Sequence, residues 1–594
     1  MPSPLALQID VNPVDPPLEA VEVKAGPSSG WKTRSSSVLH RVVHHVKRHA
    51  GVGVICAVAY FDPGNWSVDM QAGSIFGYRP MLFVILMAGL GAVVLQAMAC
   101  RLGCITGLDL ATHCRLLLHN HPRHRYLIRY GVLYPLYVLC EISIISTDLA
   151  ELLGSAIGLC LLFPKLPLWA AVLLTASDVM VFLVIGDPTR AKGRPVRLFE
   201  FSVIALVGAV FVSFVVLLVQ VKADWPEVLL GFIPSKKLVE VHPNAVYTAV
   251  GILGATVMPH ALFLGSFLST QDRVSTAPSA PTSLPMPASS AGTGGIKAMC
   301  KRTTAWARSL FVVSRAERVA ASRDHRNQYS RPDNNTVEFI RSHLGHSIFD
   351  IVASLLGVAV PINAAILIIA ATVFFRDDMS SGKMTPAGLF DAHDLIKAKI
   401  GSAAAFIFAL ALLCAGQTAS ITATLAGQIV SEGFIQWRIS PFLRRLVTRL
   451  LGLIPSMIVA IAVGRPGIDT LLVASQVALS IVLPFVVFPL VYITSSSTIM
   501  SATEQLPPSS EPPSPNPDAE TPMSPVVKSE ADIHIQEASP RLPDDPEIGS
   551  VSGVKTVDYS NGRVMKYLGY AIWLIVVTAN AYVLVELALG TTVS

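Results

Sequence analysis

Apolar residues run in long blocks along this chain, and polar residues gather between them. In order, the blocks cover roughly residues 51–76, 81–104, 127–160, 167–186, 196–221, 245–268, 347–375, 401–430, 446–464, 468–495 and 565–590. A helix needs about 20 apolar residues to cross a bilayer, so the pattern predicts an all-α polytopic membrane protein with eleven spans. Two of the blocks are broken from within. In the first, Asp62-Pro63-Gly64-Asn65-Trp66 interrupts the run. Pro63 has no N–H and its ring collides with the carbonyl four residues back, so Ala59 loses its helical partner, while Gly64 loosens the backbone further. In the sixth block, Ala255-Thr256-Val257-Met258-Pro259-His260 repeats the device, and Pro259 frees the carbonyl of Ala255.

Non-helical backbone survives in hydrocarbon only where it is buried in protein or lines a wet cavity. An ionisable group at that depth, here Asp62, marks a functional site. Because the breaks lie five spans apart, the second set of five enters the membrane in the opposite sense to the first. The result is a five-plus-five inverted repeat with span 11 appended and a site near the midplane, between spans 1 and 6.

The remaining segments divide the chain. Residues 1–45 are expected to form a disordered cytoplasmic tail, 46–268 to hold spans 1–6 and 269–346 to form a disordered cytoplasmic loop. Spans 7–10 then occupy 347–495, a second disordered cytoplasmic loop covers 496–563, and span 11 with a short tail fills 564–594. The tail and both loops are rich in Pro, Ser and charge and have too little apolar surface to bury a core. No cleavable signal pattern precedes span 1, which is expected to direct insertion itself. Orientation comes from the basic residues: Arg101, Arg115, Arg123 and Arg125 join spans 2 and 3, Arg190, Lys192, Arg194 and Arg197 join spans 4 and 5, and Arg438, Arg444, Arg445 and Arg449 join spans 8 and 9. Held inside, these connections put the N-terminus in the cytoplasm.

Composition agrees with this picture. The 594 residues are 52% hydrophobic and 14% charged, too apolar for a soluble protein, and a net charge of +5 gives no argument for a nucleic-acid partner. The eight cysteines contain no Cys-x-x-Cys and lie mostly in apolar blocks, so they read as buried small hydrophobes. His40/His44 and His45/His49 have helical spacing suited to a metal, but a juxtamembrane basic segment is the preferred reading. Asn334-Asn335-Thr336 and Asn65-Trp66-Ser67 match the glycosylation sequon, and both are read as chance.

The breaks also carry the chemistry. The first supplies the Asp62 carboxylate, the Asn65 amide oxygen and the Ala59 carbonyl, and the second supplies the Ala255 carbonyl and the Met258 thioether. Oxygen ligands alone suit sodium, magnesium or calcium, whereas a thioether is soft, so Met258 argues for a first-row transition metal. Span 3 carries Glu141, Asp148 and Glu151 along one helical face, where acids are costly. Such a stripe suits a proton relay, with His260 beside the second break able to pass protons near neutrality. Ion pairs with Arg444 and Arg445 are the structural alternative, and the two readings are compatible.

These residues resemble the Nramp family of divalent-metal transporters. The resemblance rests on Asp-Pro-Gly-Asn in span 1, Met-Pro-His in span 6, Thr147-Asp148-Leu149-Ala150-Glu151, Ala415-Gly416-Gln417-Thr418 leading to Gly427-Gln428, and Ser475-Gln476-Val477-Ala478-Leu479-Ser480. It runs from about Gly51 to about Thr494, omits the tails and inserts, and points to a eukaryotic, fungal-like member. It implies a LeuT-like fold and proton-coupled movement of manganese, iron and related divalent metals toward the cytosol by alternating access. It also implies Asp62, Asn65, Ala59, Ala255 and Met258 as metal ligands with Gln476 joining in some conformations, and Asp62, Glu141, Asp148, Glu151, His260, Arg444 and Arg445 as the proton path. The chain would then be no enzyme and hold no resident cofactor. Its partners would be metal ions, protons, the bilayer and regulators of the inserts, in a plasma, endosomal or vacuolar membrane.

One departure stands out: where the family continues Asn-Leu-Tyr-Leu-His-Ser after Met-Pro-His, this chain reads Ala261-Leu262-Phe263-Leu264-Gly265-Ser266. The loss of an amide, a hydroxyl and an imidazole bears on the hydrogen bonds that steady span 6. Three competing readings are weaker. A sodium-coupled amino-acid transporter would offer free helix N-termini to a substrate carboxylate, which Asp62 would repel. A magnesium-selective relative would lack the thioether, and a metal-sensing receptor would need a signalling module in the inserts.

Overall fold

Proline decides where the first crossing stops and restarts. In the computed structural model, which describes residues 51–185, 197–236, 238, 243–273, 334–375, 388–436, 441–505 and 554–589, span 1 is split into α1 (Val52–Val58) and α2 (Pro63–Phe76). The last turn of α1 tightens, with the N–H of Tyr60 donating to Ala57 O at 2.9 Å. Asp62 then takes an extended conformation and caps α2, its Oδ1 accepting from the Asn65 N–H at 3.0 Å. Pro63 falls at the first helical position, where its missing N–H would be unpaired in any case. Span 6 is built alike. Helix α9 (Pro243–Thr256) ends, Met258 is extended, and α10 (Pro259–Leu268) starts on its proline.

Between the two breaks lie α3 (Met81–Thr106), α4 (Leu110–Leu118), α5 (Arg125–Leu162), α6 (Leu168–Ile185), α7 (Arg197–Gln220) and the short α8 (Trp225–Gly231). After span 6 come α11 (Val337–Phe375), α12 (Leu389–Lys399), α13 (Ser402–Ile435), α14 (Pro441–Ala462), α15 (Arg465–Thr494) and α16 (Arg563–Leu589). Among the described residues eight helices are long and apolar enough to cross a membrane. The broken span 1 with α6 and α14 brings the crossings to the eleven expected, with breaks in spans 1 and 6 as a LeuT-like repeat requires. Spans 3 and 7 each contain a widened turn, Arg129–Leu133 and Leu355–Ala359, and Pro135 and Pro361 follow just beyond, where a regular helix would clash with the ring.

Small residues set how closely the helices approach. A Cβ on Gly416 of span 8 would lie 2.3 Å from Ser155 Oγ of span 3, and one on Gly154 of span 3 would lie 2.0 Å from the Pro63 ring. Lipid-like packing leaves close backbone approach as a main source of helix association, and these glycines bring spans 3 and 8 onto the first break. Trp66, fully buried just beyond that break, packs edge-on to Phe214 at 4.7 Å between ring centres and donates its indole N–H to Phe61 O at 2.8 Å.

The inserts contain more order than their composition suggests. Helix α11 begins at Val337, ahead of the expected boundary at 347, because Thr336 Oγ1 caps it by accepting from the Phe339 N–H. Ile340, His343 and Ser347 line its buried side. The second insert is pinned at both ends, where β1 (Ser501–Gln505) and β2 (Val554–Asp558) pair antiparallel from Ser501↔Asp558 to Gln505↔Val554. Asn334 joins the two regions, its amide donating to Ile499 O and Ser501 O at 2.9 and 2.8 Å, so that side chain is already committed. The tail, the insert interiors, the paired histidines 40–49, Arg190, Lys192, Arg194, Arg438 and Cys300 lie outside the described residues. The seven described cysteines are unpaired, five of them fully buried.

Candidate functional site

Three consecutive carbonyls, those of Ala59, Tyr60 and Phe61, lose regular helical partners at the first break, and two find others. Tyr60 O accepts from Asn363 Nδ2 at 2.7 Å and Phe61 O from the Trp66 indole, while Asp62 O already takes the first regular bond of α2, from the Trp66 N–H at 3.2 Å. The Ala59 carbonyl, whose helical donor would have come from position 63, takes no described hydrogen bond. Beside it, Asp62 Oδ2 and both amide atoms of Asn65 are buried and close no hydrogen bond. Each buried polar atom left in that state costs about 1–3 kcal/mol, so their concentration in one turn points to a polar cargo.

Span 10 completes this side of the site. A Cβ on Gly64 would lie 1.7 Å from Gln476 Nε2 and 3.1 Å from Asp62 Oδ2, which places the Gln476 amide against the break. That amide is fully buried, and neither of its polar atoms closes a hydrogen bond. Span 6 reaches the same stretch through Gly254, where a Cβ would lie 2.6 Å from Gln476 O and 2.5 Å from Ser480 Cβ. Ala255 and Met258, buried at 1% and 0% exposure, follow directly. Among the described residues no group of three or more His, Cys, Asp or Glu is placed to hold a metal. The Asp62 carboxylate with the Asn65 and Gln476 amides instead makes a buried, weakly charged polar cluster at the first break.

Gln96 of span 2, which the sequence reading passed over, joins the two breaks. It accepts from Tyr60 Oη at 3.2 Å and donates through Nε2 to Ala261 O at 3.3 Å and to Cys56 Sγ at 3.2 Å. Position 265 is where this becomes possible, since a Cβ on Gly265 would lie 1.6 Å from Gln96 Nε2. The space that a side chain at position 265 would enter is therefore held by an amide from another helix. Phe263, lacking the usual hydroxyl, packs edge-on to Phe434 at 5.8 Å.

On the other side of span 6, His260 Nδ1 lies 3.3 Å from Thr147 Oγ1 of span 3, and its Nε2 is buried without a hydrogen bond. The neighbouring Asp148 meets Arg449, with Nη1 3.4 Å from Oδ1 and both side chains buried. One end of the stripe is held by Arg444, whose Nη2 lies 2.9 Å from both oxygens of Glu141. Glu151 is fully buried between these elements. The arginine that pairs with Asp148 is thus Arg449, a residue first counted as loop charge, while the side chain of Arg445 lies outside the described residues. Arg115, Arg444 and Arg449 are all buried, which removes three charges from the loop count and leaves exposed Arg123 and Arg125 among those that carry it.

Comparison with known proteins gives this geometry a family. Residues 53–505 match the family described as Nramp, natural resistance-associated macrophage protein-like. The chain is 33% identical to the iron transporter SMF3 of Saccharomyces cerevisiae over 93% of its own length and 98% of that protein's. It is 35% identical to the manganese transporter pdt1 of Schizosaccharomyces pombe, over 96% and 91% of the two lengths. With the divalent metal cation transporter MntH of Nostoc it shares 39% identity over 76% and 84%. Among solved structures it is similar to the manganese transporter of Eremococcus coleocola, with 26% identity, a TM-score of 0.59, and coverage of 89% of this chain and 84% of that one. With proline breaks in spans 1 and 6, and this match over most of its length, the chain belongs to the Nramp family.

Proposed function

We propose that the chain carries divalent transition-metal ions, manganese and iron among them, toward the cytosol together with protons, alternately exposing the site between its broken spans. The observation that supports this most is the unsatisfied set at the breaks: Asp62 Oδ2, the Asn65 amide and the Gln476 amide, with Met258 at the facing break. Asp62 would supply the fixed charge that a dication needs in a low-dielectric site, Asn65, Ala59, Ala255 and Gln476 neutral oxygens, and Met258 a soft donor that favours transition metals over calcium and magnesium.

Protons would pass from Asp62 by way of His260 and Thr147 to the acids of span 3. Protonation of Asp148 would weaken its hold on Arg449, and protonation of Glu141 its hold on Arg444, so the stripe serves both as ion pairs and as a relay. The N-terminus and both inserts would face the cytoplasm, where the inserts are available to regulators, in a plasma, endosomal or vacuolar membrane. The test is radiolabelled manganese uptake into proteoliposomes with and without a pH gradient. Uptake that grows with an inward proton gradient is expected. Uptake of manganese indifferent to the gradient would refute coupling, and no uptake of any divalent metal would refute the function.

A further inference from the structure

Span 10 carries Gln476 and Ser480 one turn apart, and one turn later its continuous helix contains Pro484. That proline has no N–H to offer the carbonyl of Ser480. Span 11 supplies the missing donor: Asn580 Nδ2 lies 2.8 Å from Ser480 O and 2.9 Å from Val576 O in its own helix. The side chain is 4% exposed. Two turns away on α16, Trp573 Nε1 donates to Pro484 O at 3.1 Å, so the turn from Ser480 to Pro484 is tied at both ends to the same helix.

The opposite side of this stretch faces the breaks. Gly64 of span 1 meets the Gln476 amide, and Gly254 of span 6 meets Gln476 O and Ser480 Cβ. Around the contact, Val250 of span 6, Val477 of span 10 and Val583 of span 11 form a small buried cluster flanked by Tyr247, Ile481 and Ala579. The Gln476–Ser480 stretch is therefore gripped by the broken spans in front and by span 11 behind.

We propose that Asn580 is a positioning residue for metal binding: by satisfying the Ser480 carbonyl that Pro484 leaves without a helical donor, it holds span 10 with the Gln476 amide against Asp62. Span 11, which stands outside the inverted repeat, thereby contributes to metal affinity without touching the metal. The inference rests on the reading of Gln476 as part of the metal site.

The test compares manganese uptake by the full chain in proteoliposomes, with thermal stability measured in parallel. The set is wild type, Asn580→Leu, Pro484→Ala and the double variant. Asn580→Leu keeps the branching and number of side-chain heavy atoms and removes the donor, and it is expected to raise KM for manganese about tenfold while lowering stability. In Pro484→Ala the new N–H answers Ser480 O within its own helix while Asn580 remains, and this variant sets the baseline for the double. The double variant is expected to regain stability with KM still raised about tenfold over that baseline. It also carries the test if Asn580→Leu alone fails to fold, because the Ser480 carbonyl is then satisfied within its own helix. A wild-type KM in Asn580→Leu, or a double variant whose KM falls to its baseline as stability recovers, would overturn the proposal and leave Asn580 a structural donor only. Absence of uptake by the wild type would overturn the transport reading itself, and this proposal with it.

Discussion

Replacing Gly64 with Ala should disable the site while leaving the fold nearly intact. Gly64 is the second residue of α2 and lacks the positive φ that excludes other residues, so its backbone accepts alanine. Helical preference alone would favour the change by about 0.5–1 kcal/mol. The difficulty is steric. The new Cβ would lie 1.7 Å from Gln476 Nε2, ordinary contact begins at 3.4 Å, and the amide must therefore retreat by about 1.7 Å. Displacing one flexible side chain costs about 1–3 kcal/mol, so the net loss of stability is expected to stay within about 2 kcal/mol. A displacement of that size exceeds the roughly 0.5 Å within which a working site must hold its groups. Loss of one ligand worth about 1.4 kcal/mol raises KM tenfold, and the methyl group also crowds Asp62 Oδ2. The assay is manganese uptake in proteoliposomes beside thermal unfolding of the same preparation. A Gly64→Ala variant with wild-type KM and maximal rate would refute the placement of Gln476 at the site.

Four further outcomes follow from the same geometry. Asp62→Asn should abolish metal uptake and coupled proton movement together, with normal arrival at the membrane, and manganese transport at the wild-type rate would place the site elsewhere. Met258→Ala should lose cadmium most and narrow the discrimination against calcium and magnesium, which a four-metal competition series measures; unchanged ratios would show that Met258 only packs. Arg449→Met removes the described cationic partner of the buried Asp148 carboxylate and should destabilise by about 3–5 kcal/mol, with recovery in the Arg449→Met/Asp148→Asn double variant; thermal unfolding of the pair tests this. Glu151→Gln should alter the pH and voltage dependence of uptake more than metal affinity, whereas a purely structural role would lower expression and leave the pH profile unchanged.

The breaks were legible in the sequence because proline inside an apolar run has one steric consequence wherever it occurs. Asp62, Met258, Pro63 and Pro259 could thus be placed before any packing was known. What stayed hidden was decided by neighbours distant in sequence. Gln96 sits in an uninterrupted apolar helix, and its role appears only because Gly265, 169 residues later, leaves room for it. Arg449 is five residues beyond Arg444 on α14, and nothing in a run of arginines at a span's edge says which of them turns inward to Asp148. Hydropathy likewise cut span 7 where polar residues begin, although Thr336 caps a helix that continues past that point. The strands β1 and β2 were obscured by the long Pro-rich interval between them, since pairing across such a distance leaves no local mark.

The central claim is that a divalent metal rests between the two breaks, and the most direct measurement is an anomalous difference map from crystals of the full chain soaked in manganese. One intramembrane peak is expected within coordination distance of the Asp62 carboxylate, with the Asn65 amide, the Ala255 carbonyl and the Met258 sulfur around it, and it should disappear in Asp62→Asn. A peak elsewhere in the membrane, or one that persists in the Asn variant, would contradict the account.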